Sequence, residues 1–464
     1  MGISKLRRPS GPDDNNKRPG ARLALASLAT AVSFLNCVPA LAASMQAPGS
    51  WSPAAPMPQA RESFTATVLK NGQVLVVGTP MGTPEGPGDP AQSAELYDPA
   101  KNAWATGGAM VTPRSLHSAT LLSDGGVLVA GGLSASGFVN TAEAYDPATN
   151  TWSPAGSFGP VGRHWHSATL LKDGRVLVVG GRNQSHDQSY ADAWLYDPKT
   201  NAWTQTGSFE TGRRSHTATL LNDGTVLITG GQLGGHDASL QDALIYDPTA
   251  GTFKPVPSLM NVNRAEHTAT LLNDGRVLLT GGSTQLVGGG PATILASTEI
   301  YDPKTQTFKP AGDLALPRRA HTAVTMGNGE VLLTGGTGGG APGHASDDPI
   351  YSAESYDPAT GRPNPAGALK PAAAKDGNPL AYGAAILLDQ KPCGPNCGKA
   401  LALGADLAEL FSPPSAGETS AAEKPNAAKQ KDARPITPAL FIGAGLVLLV
   451  AAGIVLARRG RTSR

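Results

Sequence analysis

Apolar residues in this chain come in short runs separated by polar turns, and one order of runs and turns returns along most of its length. Residues 267–282, HTATLLNDGRVLLTGG, hold two such runs on either side of Asp274-Gly275. Each unit places an Arg three residues before a His, then an apolar run, a turn, a second run and a glycine pair. The histidines are His117, His166, His216, His267 and His321, with Phe64 and Tyr382 in the same place in the first and last units. A period of roughly fifty residues is the mark of a propeller or solenoid.

The turns are Asn71-Gly72, Asp124-Gly125, Asp173-Gly174, Asp223-Gly224, Asp274-Gly275 and Asn328-Gly329. Both residue types tolerate positive φ, so the spacing predicts two-residue type I′ hairpins. The flanking runs scarcely alternate, which predicts strands buried on both faces. A second hairpin follows in each unit. Tyr-Asp-Pro begins at residues 97, 145, 196, 246, 301 and 356, and Trp104, Trp152, Trp203, Phe253 or Phe308 stands seven residues after the Tyr. Pro fixes φ, Asp caps the turn backbone, and an Asn or Gly supplies the left-handed position. The large Tyr and Trp rings suit packing between neighbouring sheets. Two hairpins make four antiparallel strands, which is one propeller blade.

His-Ser/Thr-Ala-Thr, Gly-Gly, Tyr-Asp-Pro and the later aromatic together resemble the kelch repeat over residues 51–413. The resemblance implies an all-β, seven-bladed kelch-type β-propeller. Such propellers serve as binding adaptors, scaffolds and a few enzymes, so the fold leaves activity open. The seventh unit is degenerate: residues 381–388, 399–406 and 408–413 supply three runs, Phe411 replaces the Tyr, and no Trp follows. At the other end, Trp51-Ser52-Pro53 matches Trp152-Ser153-Pro154 with no blade before it. Residues 50–54 are therefore expected to complete blade seven, giving a propeller domain over residues 50–413 with its ring closed.

Outside the repeats, Lys5, Arg7, Arg8, Lys17, Arg18 and Arg22 precede an apolar run, Leu23 to Val38, and Pro39-Ala40-Leu41-Ala42. That is the order of a secretory signal peptide over residues 1–42. Residues 414–437 lack apolar periodicity and read as a flexible linker. Residues 438–457 contain nineteen uncharged positions from Ala439 to Ala457, followed by Arg458, Arg459, Arg461 and Arg464 in a basic tail, 458–464. Nineteen helical residues span about 28 Å, one hydrocarbon core, and the basic end places the tail inside. The expected product is an exported, single-pass membrane protein with its propeller on the extracytoplasmic side. A cleaved sorting signal is the competing reading of the same segment.

Lys and Arg number 37 against 36 Asp and Glu, which argues against nucleic-acid binding. Cys393 and Cys397 flank Gly-Pro-Asn and are most simply a local disulfide once exported; half a metal site is the alternative, with no second Cys or His pair nearby.

Candidate chemistry lies in the loops that open on the Gly-Gly side. One set carries Arg61, Arg114, Arg163, Arg213, Arg264 and Arg318, one per unit. These could ring the channel mouth and bind carboxylates or anionic sugars, or each could support its own blade by pairing with a carboxylate such as Glu143 or Glu299. Repetition in every blade favours support. The repeated histidines cannot converge on one metal and are expected to hydrogen-bond within the fold. The loops after Gly-Gly differ from blade to blade: His186-Asp187 and His236-Asp237 occupy matching places, and His344 with Asp347 and Asp348 appears two blades on. Unlike polar loops on a rigid scaffold are where a ligand or ion is held, although solvated loops have the same composition.

Kelch blades also build the catalytic domain of galactose oxidase. The resemblance implies a need for copper and a Tyr–Cys crosslink. Cys393 and Cys397 fall between the first two runs of unit seven, on the opposite side, and no nucleophile elbow, phosphate loop or zinc-spaced His pair stands in. The sequence thus predicts a protein- or glycan-binding module with no catalytic residue, cofactor or metal. A secreted carbohydrate-acting enzyme of the galactose oxidase-like class is the alternative.

Overall fold

The computed structural model describes residues 49–413, apart from residue 62 and residues 79–92, 184–188, 235–237, 286–291, 339–347, 371, 374–378, 381–382, 390–393, 397 and 405–406. The segments expected to be signal peptide, linker, membrane span and tail, and His186, Asp187, His236, Asp237, His344, Asp347, Cys393 and Cys397, lie outside the described residues. Among the described residues no helix is long and apolar enough to cross a membrane.

Seven four-stranded antiparallel sheets follow one another as blades. Blade 1 spans residues 65–109, blade 2 118–157, blade 3 167–208, blade 4 217–255, blade 5 268–310, and blade 6 322–368. Blade 7 takes three strands from residues 384–412 and its outer strand from Ser50–Pro53, which pairs with Ala408–Ser412 in the register Trp51 to Phe411. Each innermost strand touches the innermost strands of both neighbouring blades, blade 1 touching blade 7, so the ring is closed.

The second strand of each blade, such as Val176–Val179 or Val277–Thr280, is wholly buried between sheets. The innermost strand is not. Thr268–Leu271 and its counterparts are only partly buried: they touch both neighbouring blades, but as the edge strand of each sheet they have no further strand beyond them. The expectation of burial on both faces therefore holds in full for one run of each pair, and the Thr and Ser in the first run hydrogen-bond the next blade, as Thr268 does His321.

The tight turns also differ from expectation. Gly72, Gly125, Gly174, Gly224, Gly275 and Gly329 have positive φ, but the Asn or Asp before each does not. Leu272 N donates to the Arg276 carbonyl and Gly275 N to the Leu272 carbonyl, both near 2.8–2.9 Å, which defines a three-residue loop instead of a type I′ pair. The cause is the side chain: Asp274 Oδ1 accepts the Arg276 amide at 3.0 Å, an Asx turn that leaves the left-handed position to glycine alone.

Neighbouring blades are joined by the aromatic pairs. Tyr145 and Trp152 have ring centroids 5.1 Å apart, and Trp152 Nε1 donates to the Gly107 carbonyl of blade 1 at 3.1 Å. Trp203 reaches the Ala155 carbonyl of blade 2 at 2.7 Å. Trp51 does the same for the closing blade, donating to the Ala366 carbonyl of blade 6 at 2.6 Å while packing on Phe411.

Candidate functional site

The six repeated arginines are almost wholly buried, each 0–1 % exposed. Each turns into its own blade. Arg114 meets Glu143 at 2.8 Å, Arg264 meets Glu299 at 2.6 Å, Arg318 meets Glu354 at 2.6 Å and Arg61 meets Glu95 at 3.4 Å. The same glutamates receive the loop entering the blade: Glu299 accepts the amides of Asn261 and Val262 at 2.7 and 3.1 Å. A guanidinium and two amides together satisfy a carboxylate that burial would otherwise penalise. This is the supporting arrangement, and it removes these guanidiniums from the mouth surface.

Blades 3 and 4 modify the pairing. Trp194 and Leu244 stand where the other blades have Glu, and the carboxylate moves two residues earlier to Asp192 and Asp242. A shift of two keeps the same side of the strand while moving the charge toward the loops. Asp192 contacts Arg163 at 2.7 Å and Asp242 contacts Arg213 at 2.8 Å, but their side chains retain 21 % and 38 % exposure. Burial tends to raise the Asp192 pKa, but the Arg163 hydrogen bond and charge, with the Trp194 N–H at 2.8 Å, outweigh it and hold the carboxyl low.

The repeated histidines bind blade to blade. His117 Nε2 lies 3.0 Å from Thr65 Oγ1, His166 2.9 Å from Ser118 Oγ, and His216 2.8 Å from Ser167 Oγ. His267 and His321 each reach two threonines, Thr217 with Thr229 and Thr268 with Thr280. Burial first, and the nearby arginine charge second, push His117, His166, His216 and His321 down to about 3, so they are neutral structural groups.

The unlike residues lie between each Arg and His. The second of these positions, occupied by Ser63, Leu116, Trp165, Ser215, Glu266 and Ala320, has φ between 49 and 55° in every blade from 1 to 6. Backbone hydrogen bonds link them around the axis: Ser215 N to Trp165 O at 3.0 Å, Glu266 N to Ser215 O at 3.0 Å, Ala320 N to Glu266 O at 2.8 Å. The first position pairs with the segment after Gly-Gly, as in Ser115 with Leu133, His164 with Arg182, Arg214 with Gln232 and Ala265 with Ser283. Both loop sets therefore meet at one mouth.

The chemistry there is uneven. Between blades 5 and 6, Glu266 and Arg319 form an ion pair at 3.0 Å. At blade 3 the Arg182 guanidinium lies 4.3 Å over the Trp165 ring and that of Arg214 lies 5.8 Å from it. His164 stacks on Phe138 at 4.5 Å and touches Trp165 at 4.4 Å. Arg182 Nε lies 3.4 Å from His164 Nε2; a guanidinium only donates, so His164 carries its proton on Nδ1, a buried atom without a hydrogen-bond partner. Burial and the Arg182 charge bring His164 down to about 4. None of these residues except Arg182, within a variable loop, was marked by sequence. The signal was available in the dipeptides inside R-x-x-H, which change in every unit while the frame stays fixed.

Clefts elsewhere are shallow. Three of 290–410 Å³ lie on the opposite face against the Asp-Gly and Asp-Pro turns, and one of about 440 Å³ lies beside Phe209, Glu210 and Asp242. Among the described residues no group of three or more His, Cys, Asp or Glu could hold a metal ion.

Residues 49–231 and 159–336 match the family model of the KLHDC2/KLHL20/DRC7 Kelch-repeats domain. No curated protein matches the chain. Among solved structures, a fungal alcohol oxidase of the AA5 family, in complex with copper, is similar at 18 % identity and a TM-score of 0.60, over 79 % of this chain and 76 % of that one. That likeness is one of fold.

Proposed function

The chain belongs to the kelch-repeat domain family, and from that membership we propose that it is a binding module whose ligand, a protein or a glycan, docks on the loop face around the central axis. The supporting observation is the mouth itself: one backbone geometry repeated in six blades, carrying Ser63, Leu116, Trp165, Ser215, Glu266 and Ala320. Where a frame is invariant and its side chains differ, the frame belongs to the fold and the differences are free to specify a partner. The basic, apolar and small-residue order of residues 1–42 and the apolar run of 439–457 support export and anchoring, with the propeller outside the cell.

A screen of the full chain against glycans and surface proteins tests this reading. Binding by the wild type should be lost on Glu266→Lys combined with Trp165→Ala, and kept on Lys199→Glu at the opposite face. Binding that follows the Lys199 change instead would place the ligand elsewhere. The carbohydrate-oxidising alternative rests on fold likeness, and stoichiometric copper in the purified chain would favour it over the binding module.

A further inference from the structure

We propose that the loop-face rim from blade 2 to blade 5 docks a partner protein, with a lysine or arginine side chain of that partner anchored in the cavity between blades 3 and 4. The inference rests on the binding-module reading above and names the class of partner and its anchor point. The cavity, about 440 Å³, is lined by Phe209, Glu210 and Arg213 of the loop entering blade 4 and by Asp242, Leu244 and Phe253 of the blade itself.

One exchange between neighbouring blades accounts for its chemistry. Blades 3 and 4 share an ion pair, Arg163 with Asp192 and Arg213 with Asp242, but two residues after the Asp blade 3 has Trp194 where blade 4 has Leu244. The Trp194 indole N–H donates to Asp192 Oδ2 at 2.8 Å, and Arg163 donates to both Asp192 oxygens. Leu244 is smaller and has no donor, so it leaves a space and a carboxylate short of partners. Asp242 Oδ2 accepts one bond, from Arg213 at 2.8 Å, while Oδ1 accepts none and is the one buried carboxylate oxygen in that condition among the described residues. An ionised carboxylate has about four acceptor sites, and Glu299 in the next blade fills them with four donors. The last torsion of an aspartate is soft and the Asp242 side chain is 38 % exposed, so a small turn offers the unspent oxygen to a group entering the cavity.

The walls select a cation with an apolar stem. Two carboxylates, Asp242 and the exposed Glu210, stand against one guanidinium, Arg213, which Asp242 already neutralises; a further anion is repelled there and a cation is drawn in. Phe209 and Phe253, edge to face with centroids 5.0 Å apart, and Leu244 line the path for a methylene stem. An amino sugar has the charge but sets hydroxyls against these rings. The surrounding rim is apolar as well. Val111, Val161 and Leu259, 67, 41 and 57 % exposed, are the exposed large apolar residues among the described residues, and all three stand in entry loops, those of blades 2, 3 and 5. With the cavity in the entry loop of blade 4, four successive entries present apolar surface on one face, the composition of a protein-docking surface.

The test is ligand-observed NMR titration of the full chain with Nα-acetyl-lysine methylamide, its neutral Nε-acetyl form, Nα-acetyl-glutamate methylamide and glucosamine. The lysine amide should bind about tenfold or more tightly than the other three. Leu244→Trp reproduces the blade 3 arrangement, filling the cavity and giving Asp242 its missing donor, and should abolish the binding. Glu210→Lys, at an exposed site, should weaken it by about fivefold and serves if Leu244→Trp fails to fold. Leucines on both sides of the lysine should strengthen binding about threefold over serines, and Val161→Ser with Leu259→Ser should remove that gain. Equal binding of the Nε-acetyl form, or affinity indifferent to Leu244→Trp and Glu210→Lys, overturns the anchor; no gain from the leucines overturns the rim. Glucosamine binding with the same residue dependence assigns the cavity to an amino sugar and overturns the protein partner. A chain that takes a loop-face ligand in the screen but leaves the lysine amide unbound overturns this inference alone. Silence in both experiments overturns both.

Discussion

Arg264 Nη2 and Glu299 Oε1 are 2.6 Å apart, with side chains 0 % and 1 % exposed. Burial lowers the Arg264 pKa and the Glu299 charge opposes that fall, so each ion is tolerated because of the other. Removing one partner strands a buried charge. Arg264→Ala should therefore cost about 3–5 kcal/mol, against less than about 1 kcal/mol for Arg276→Ala, whose pair with Asp274 is one-third to one-half exposed. Urea unfolding of both variants checks the order, and equal losses would show that the Arg264 pair is solvated.

Acid should loosen the ring before carboxylates titrate. The buried histidines are held neutral with pKa values near 3, while the unfolded chain protonates them near the ordinary value of 6.5. The unfolded state thus binds more protons below pH 6.5, and stability falls as pH drops from there toward 3, by up to about 1.4 kcal/mol per pH unit for each such histidine. Above pH 6.5 they contribute no slope. Unfolding midpoints at pH 8, 6.5 and 5 should show a plateau and then a decline, shallower in His216→Gln. A flat profile down to pH 5 would mean that these imidazoles protonate in place.

Gly281 and Gly329 both have positive φ, 58° and 88°, but their surroundings differ. A Cβ on Gly281 would run into the Arg318 carbonyl oxygen of the next blade, whereas one on Gly329 meets only Asn273 Nδ2 at 3.4 Å. Gly329→Ala should cost about 1–2 kcal/mol for its left-handed backbone, and Gly281→Ala clearly more, since the interface of blades 5 and 6 must open. Thermal unfolding midpoints give the comparison.

The strand count, the aromatic pairs and the supporting role of His could be read from the sequence because each recurs at fixed spacing, whereas the repeated Arg left ligand binding and blade support both open. Trp51 was readable by the same logic, through its match to Trp152. Two features escaped for physical reasons. Asp274 satisfies the turn with its own side chain, which no propensity for Asp-Gly distinguishes from a type I′ pair. The mouth escaped because His164, Trp165 and Arg214 are not repeated: a search for what units share passes over the positions where they differ.

Closure should be the most exposed weakness. Trp51→Ala removes the Phe411 contact and the hydrogen bond to Ala366, and should cost about 3 kcal/mol. Trp203→Ala removes equivalent contacts within continuous chain. Unfolding followed by limited proteolysis should release residues 49–57 first in Trp51→Ala, and no such early cut is expected in Trp203→Ala.

The backward reach of each tryptophan and histidine also sets an order of assembly during synthesis. Blade 2 bonds back to blade 1, and blade 3 to blade 2, so each has its docking surface in chain already made. The strand Ser50–Pro53 is the exception: its partners are at 409–412, and Ser52 bonds to Leu410, 358 residues later. The contact that closes the ring is therefore a meeting between the oldest and the newest parts of the domain.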